Sequence, residues 1–100
     1  VIKIAKNSSA APNKLPRLTK LHANYPNPFN PETWIPYQLT QSTNVSFKIY
    51  DLDGMLIREF ERGWQSAGFY LIPSEALYWD GKTKFGEPVS SGNYFCQSNL

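Results

Sequence analysis

The side chains able to do chemistry are few, and their spacing gathers none of them into a reactive set. His22 is the single histidine, so a catalytic triad or an imidazole-based zinc site has too few partners; it reads as an exposed loop residue. Asp51 and Asp53, in the run DLDG at 51–54, match the opening of a calcium-binding loop, which needs a bidentate glutamate further on. The rest of that pattern is missing. The four residues read instead as a hairpin turn, with Gly54 free to take a positive φ, and Asp80-Gly81 reads likewise as a turn. Glu59, Glu61 and Glu75 are the residue type that cleaves glycosides in pairs, but nothing in the sequence pairs them. No glycine-rich phosphate loop occurs. The sequence therefore points to no catalytic residue, no metal ligand and no cofactor, and to a protein that is not an enzyme.

Cys96 is the single cysteine. It excludes an internal disulfide and leaves export open. Among Tyr94, Phe95 and Gln97 it reads as a small buried hydrophobe, with an intermolecular disulfide as the alternative. Of the three tryptophans, Trp79 reads as core, Trp34 falls on the outer face of its strand, and Trp64 sits in a loop. Outward tryptophans often mark contacts. Trp34 and Trp64 are thus the candidate interaction residues, either as a sugar-binding platform or by packing against the leader or a neighbouring domain.

The elements that position these residues are short strands. TWIPYQL (33–39) alternates, with Ile35, Tyr37 and Leu39 on one face, and Pro36 confines it to an edge or turns its missing donor outward. VSFKIY (45–50) sends Val45, Phe47 and Ile49 inward, and MLIREF (55–60) returns as its hairpin partner. ERGWQSAG (61–68) reads as a loop. FYLI (69–72), EALYWD (75–80) and NYFCQ (93–97) complete about six strands, with turn signals roughly every 8–12 residues and no helix, the pattern of an antiparallel β-sandwich or barrel. NYPNPFNPET (24–33) holds three prolines and three asparagines. It reads as a stiff, extended strap pinned by Tyr25 and Phe29 where the chain enters the domain.

Residues 1–20 form a basic segment and linker, and residues 21–100 the domain. The 100-residue chain carries a net charge of +2, split into +5 over residues 1–23 and −3 over residues 24–100. The positive charges are spread out with no aromatic residues among them, which favours a solvated linker over a nucleic-acid contact. No run approaches the roughly 20 apolar residues of a membrane span, and no signal peptide opens the chain. Val1 in place of a methionine reads as the start of a processed piece or a fragment. VIKIAK (1–6) alternates apolar and basic residues as a short strand does.

NYPNPFNPET, VSFKIYDLDGMLIREF, AGFY, YWDG and GEPVSSGNYF form one ordered series across residues 21–97. The series resembles the C-terminal sorting domains of type IX secretion and the related FlgD-type Ig-like domain of flagellar hook-capping proteins. Residue by residue, the resemblance covers Tyr25, Pro26, Asn27, Pro28 and Phe29 in the leading motif. It continues through Ile49, Tyr50, Asp51 and Gly54 in the central hairpin, Gly68 and Tyr70 after the loop, and Trp79, Asp80 and Gly81 in the tryptophan turn. Gly86, Val89, Ser91, Gly92 and Tyr94 match the final motif. The resemblance implies an Ig-like, fibronectin III-like antiparallel sandwich of about seven strands. It also implies a non-catalytic C-terminal module of an exported protein, secreted or at the cell surface of a Gram-negative bacterium, read by secretion machinery.

Such domains usually run past the position of Gln97 into one more strand, and here the chain stops at Leu100, with that strand apparently missing. An open sheet edge is then expected, filled by residues 1–6 or used in self-association. Three readings follow. The first is a sorting or surface-attachment module whose partners are proteins: secretion machinery, domains of a parent protein or neighbouring subunits. The second is a structural or adhesive module assembling by β-strand addition. The third is a carbohydrate-binding module using Trp34 and Trp64. None involves nucleic acid or membrane insertion.

Overall fold

The computed structural model describes residues 15–27 and 31–100. The strand read at 1–6 and the anchor Phe29, with Pro28 beside it, lie outside the described residues. Eight strands follow one another: β1 (Lys20–Leu21), β2 (Thr33–Ile35), β3 (Tyr37–Leu39), β4 (Thr43–Tyr50), β5 (Leu56–Gln65), β6 (Gly68–Tyr70), β7 (Leu77–Trp79) and β8 (Phe95–Ser98). Every pairing among them is antiparallel. The protein is an all-β, Ig-like sandwich.

One layer is β5-β4-β8. The other is built from two ladders, β1-β3-β6 and β2-β7, which share a chain at Pro36. Strands β2 and β3 are a single extended run, and Pro36, lacking an N–H, ends one ladder before the next begins. Its carbonyl still accepts a hydrogen bond from the His22 N–H at 2.9 Å. Opposite the break, the chain leaves the layer after Tyr70 and rejoins it at Leu77, so β6 and β7 flank the two halves of the central run.

Period-two alternation sets the core. Thr33, Ile35, Tyr37 and Leu39 from one layer meet Val45, Phe47 and Ile49 from the other, with Leu77 and Trp79 beside them, all buried. Tyr37 stacks on Tyr70 with ring centroids 4.7 Å apart and meets Phe47 edge-on at 5.2 Å. The Tyr37 hydroxyl is buried with no hydrogen-bond partner among the described residues. Burial raises its pKa, against the opposing charge of Arg62.

The hairpin at DLDG forms as expected. Asp51 Oδ1 accepts the N–H groups of Asp53 and Met55, both at 2.9 Å, and Gly54 has φ +84°. The carboxylate thus caps its own turn. Beyond Phe60 the expected loop is strand: β5 continues to Gln65. Two register shifts, between Val45/Ser46 and between Ile49/Tyr50, leave Arg62 and Ile57 as extra residues on β5. Such bulges break the alternation while keeping the ladder, so 61–65 has strand pairing without a strand pattern. Trp64 therefore stands on a strand, opposite Asn44, and not in a loop.

Candidate functional site

The strap is tied to β2 at several points. Tyr25 exchanges both backbone hydrogen bonds with Trp34, at 2.9 and 2.8 Å, and its hydroxyl donates to the Leu71 carbonyl at 2.8 Å. The Tyr25–Pro26 peptide is cis. Buried Thr33 donates to the carbonyls of Tyr25 and Pro26, and Asn24 Nδ2 donates to Thr33 Oγ1 at 3.0 Å. Pro26 and Asn27 are exposed. His22 is half-buried, with Nε2 2.7 Å from Gln38 Oε1. His22 lies just past β1, outside any strand, as the loop reading has it, but half-buried against Gln38 of β3 where exposure was expected.

The strap then meets the tryptophan turn. Trp79 is buried and its indole N–H donates to the Lys82 carbonyl at 2.9 Å. Asp80 Oδ1 accepts the Lys82 N–H at 3.0 Å and an Arg58 N–H at 2.9 Å. Burial pushes the Asp80 carboxyl up, but those two bonds and the Arg58 charge outweigh it and hold the pKa below its ordinary value. Gly81, at φ +78°, is buried, and the place where a side chain would begin is occupied by the Pro31 carbonyl. Only glycine lets the strap lie this close.

Two stretches of the chain repeat one device. In SAGFY (66–70) and SSGNY (90–94) the glycine has φ +153°. In both, the tyrosine hydroxyl donates to the carbonyl of the serine four residues back, Tyr70 to Ser66 at 2.6 Å and Tyr94 to Ser90. Tyr70 packs on Tyr37 in the core, and Tyr94 meets Trp79 edge-on at 5.7 Å. Sequence reasoning singled out Gly68, Tyr70, Gly92 and Tyr94 separately. The S-x-G-x-Y repeat that links them was legible and was missed.

The two flanks of the sandwich differ. On the β5 flank, Arg58 donates to Asp80 Oδ1 and to the Lys82 carbonyl, both at 2.9 Å. Arg62 donates to the carbonyls of Ala76 and Glu75 at 3.1 and 3.0 Å, and lies 5.6 Å from the Tyr37 ring. The two arginines bolt one layer to the other. On the β8 flank, a groove of about 620 Å³ opens between β8 and the β1–strap segment. Leu21, Ile35, Ile49, Trp79, Val89 and Cys96 are among its lining residues. Burial pushes the Cys96 thiol up to about 11, so it stays neutral and slow to react at neutral pH.

The outer face of β5-β4-β8 carries an apolar row. Tyr50 lies opposite Leu56 on one side and Phe95 on the other. Leu52 and Met55, in the hairpin beside them, are exposed. The candidate platform residues behave differently from each other. Trp34 is half-buried and flanked by the rings of Tyr25, at 6.1 Å, and Tyr78, at 5.3 Å, which makes it part of a packed aromatic row. Trp64 is 67% exposed. Among the described residues no group of three or more His, Cys, Asp or Glu side chains could hold a metal ion.

No family model matches the chain, and no curated protein does. Among solved structures it is similar to the crystal structure of FlgD from P. aeruginosa, at 29% sequence identity with a TM-score of 0.52. The match covers 61% of this chain and 44% of that one, so the chain spans less than half the length of the FlgD structure. The likeness supports a FlgD-type domain.

Proposed function

We propose that the chain is a non-catalytic Ig-like module of an exported bacterial protein, serving secretion sorting or attachment at the cell surface of a Gram-negative bacterium. The observation that carries this reading is the ordered motif series, most of whose described members serve one framework. Tyr25 and Pro26 bind the strap to β2, Gly81 receives the strap, Trp79 and Tyr94 pack together, and Gly68 and Gly92 shape the two tyrosine turns. The likeness to FlgD supports the same domain type. The partners in this reading are proteins, either secretion machinery or neighbouring domains. The test is a passenger protein fused upstream of residues 1–100 and expressed in a bacterium with type IX secretion. The expected outcome is passenger at the surface or in the medium. Passenger that stays in the periplasm, as it does without the module, overturns the sorting reading.

A second reading, an assembling or adhesive module, is favoured by the outer edge of β8, which no strand pairs among the described residues, and by the groove beside it.

A further inference from the structure

The outer face of β5-β4-β8 carries large apolar side chains that the sandwich core does not use. Leu56, Tyr50 and Phe95 stand side by side across the three strands, and Leu52 and Met55 lie at the hairpin beyond them. Leu52, Met55, Leu56 and Phe95 are 64, 65, 45 and 58% exposed. Exposed apolar residues scattered singly need no explanation, but a contiguous group marks a contact surface. The charged residues around the row are mostly acidic. Alternation sends Ser46 and Lys48 outward with Tyr50, and Glu61 and Glu59 lie opposite them. Gln97, on the other side of Lys48, is neutral, and Asp53 is exposed at the hairpin. Three acids thus border the row against one base. The Lys48 ammonium lies 3.9 Å from Glu59, but both side chains are about half exposed, and such a pair hides little of the acidic charge.

We propose that this face receives a basic amphipathic helix of a protein partner, with the helix's apolar stripe on the row and its cations beside Asp53, Glu59 and Glu61. Spacing favours a helix. Neighbouring strands set the side chains of the row about 4.8 Å apart. A helix laid across the strands repeats its stripe every turn, about 5.4 Å, whereas alternate residues of a strand lie about 6.6 Å apart. Charge selects the basic flanks. It also disfavours two other occupants. A second copy stacked on this face would set three acids against three, and an anionic bilayer would be repelled. The inference deepens the proposed function by placing its protein contact, and rests on that reading only in taking the partner to be a protein.

The probe is a synthetic helix of about 18 residues with a leucine stripe and lysine flanks, titrated into the isotope-labelled full chain and followed by NMR. Its counterpart carries glutamate in place of lysine. The expected amide shifts centre on Tyr50, Leu56 and Phe95, and the lysine helix binds about tenfold or more tighter than the glutamate helix. Phe95→Ser weakens the lysine helix about tenfold or more, and Glu59→Gln with Glu61→Gln about threefold or more. Trp64→Ser, at the far end of the same sheet, leaves its affinity unchanged. These side chains are exposed, and unchanged amide signals of Val45, Phe47 and Ile49 verify that each variant is folded. No binding, equal affinity for the two helices, shifts centred elsewhere, or unaltered affinity in the Phe95 and glutamate variants contradicts the proposal. A dimer in sedimentation that Phe95→Ser dissolves assigns the face to a second copy and overturns it. Passenger export reads a different property. Export without helix binding removes this inference alone, and helix binding without export removes the sorting reading alone.

Discussion

On the β5 flank of the sandwich, Arg58 and Arg62 cross from one layer to the other and end on backbone carbonyls and on Asp80. On the β8 flank no side chain of β8 hydrogen-bonds to β1 among the described residues, and a groove lined largely by apolar side chains stays between the layers. The difference lies in what each strand carries inward. Strand β5 presents arginines whose planar forks can satisfy several acceptors at once. Strand β8 presents Cys96 and Ser98, too short to bridge a gap of about 10 Å. One flank is closed by its own side chains, and the other keeps a groove between its layers. A fold of this kind can have a clamped side and an open side without any hinge.

Six substitutions break or sharpen that contrast, in falling order of expected effect. Gly81→Ala sets a methyl group against the Pro31 carbonyl at a positive φ, so the strap must lift from the tryptophan turn. A loss of about 3 kcal/mol or more is expected by denaturant unfolding. A loss below about 1 kcal/mol would mean that the strap moves freely.

Arg58→Met and Arg62→Met each remove charge-assisted bonds from the closed flank, at an expected cost of about 1.5–3 kcal/mol. Lysine at either place should recover little, because it lacks the fork. The Arg58 variant has a pH signature. The Asp80 pKa is lower in the folded state than in the unfolded one. Its contribution is therefore complete above the unfolded value, near about 3.9, and is lost as pH falls through the folded value. Stability of the unaltered protein should drop across that acid range, and the Arg58→Met variant should lose part of the slope. Identical acid titrations would separate Asp80 from the clamp.

Tyr70→Phe and Tyr94→Phe each remove one hydroxyl-to-carbonyl bond, at about 1 kcal/mol. Similar losses would confirm that the two S-x-G-x-Y turns are equivalent. A much smaller loss at Tyr94 would show the open flank tolerating what the core does not. Tyr37→Phe is the mildest. Its hydroxyl is buried without a partner among the described residues, so removal should change stability by no more than about 0.5 kcal/mol or raise it. A clear loss would reveal a bond to that hydroxyl.

Much of this architecture was legible in the residues. Val45, Phe47 and Ile49 announce a core strand by strict alternation, DLDG announces its turn, and Trp79 was read as core. What escaped has physical causes. The bulges at Ile57 and Arg62 reset the alternation along β5, so Trp64 and Gln65 read as loop. Arg58, Phe60 and Arg62 share parity, and that spacing could have flagged two inward arginines beside a core ring. Pro36 left open whether its strand was an edge or turned the missing donor outward; the run is central and Pro36 divides it between two ladders, a choice that depends on which strands pair over long distances. Of the candidate contact residues, Trp34 lies in a packed aromatic row and Trp64 stands exposed, a distinction set by the neighbouring strand and the strap and not by their own local sequence.

The central claim is that the β5 flank is closed by its own side chains and the β8 flank is open among the described residues. Amide hydrogen exchange along β8, measured by NMR, tests it most directly. Gln97 lies opposite Lys48 and the Asn99 N–H donates to the Ser46 carbonyl, so in the antiparallel ladder the Phe95 and Gln97 amides face β4 and those of Cys96 and Ser98 face away. The account predicts slow exchange at Phe95 and Gln97 and fast exchange at Cys96 and Ser98. Slow exchange at all four would contradict it.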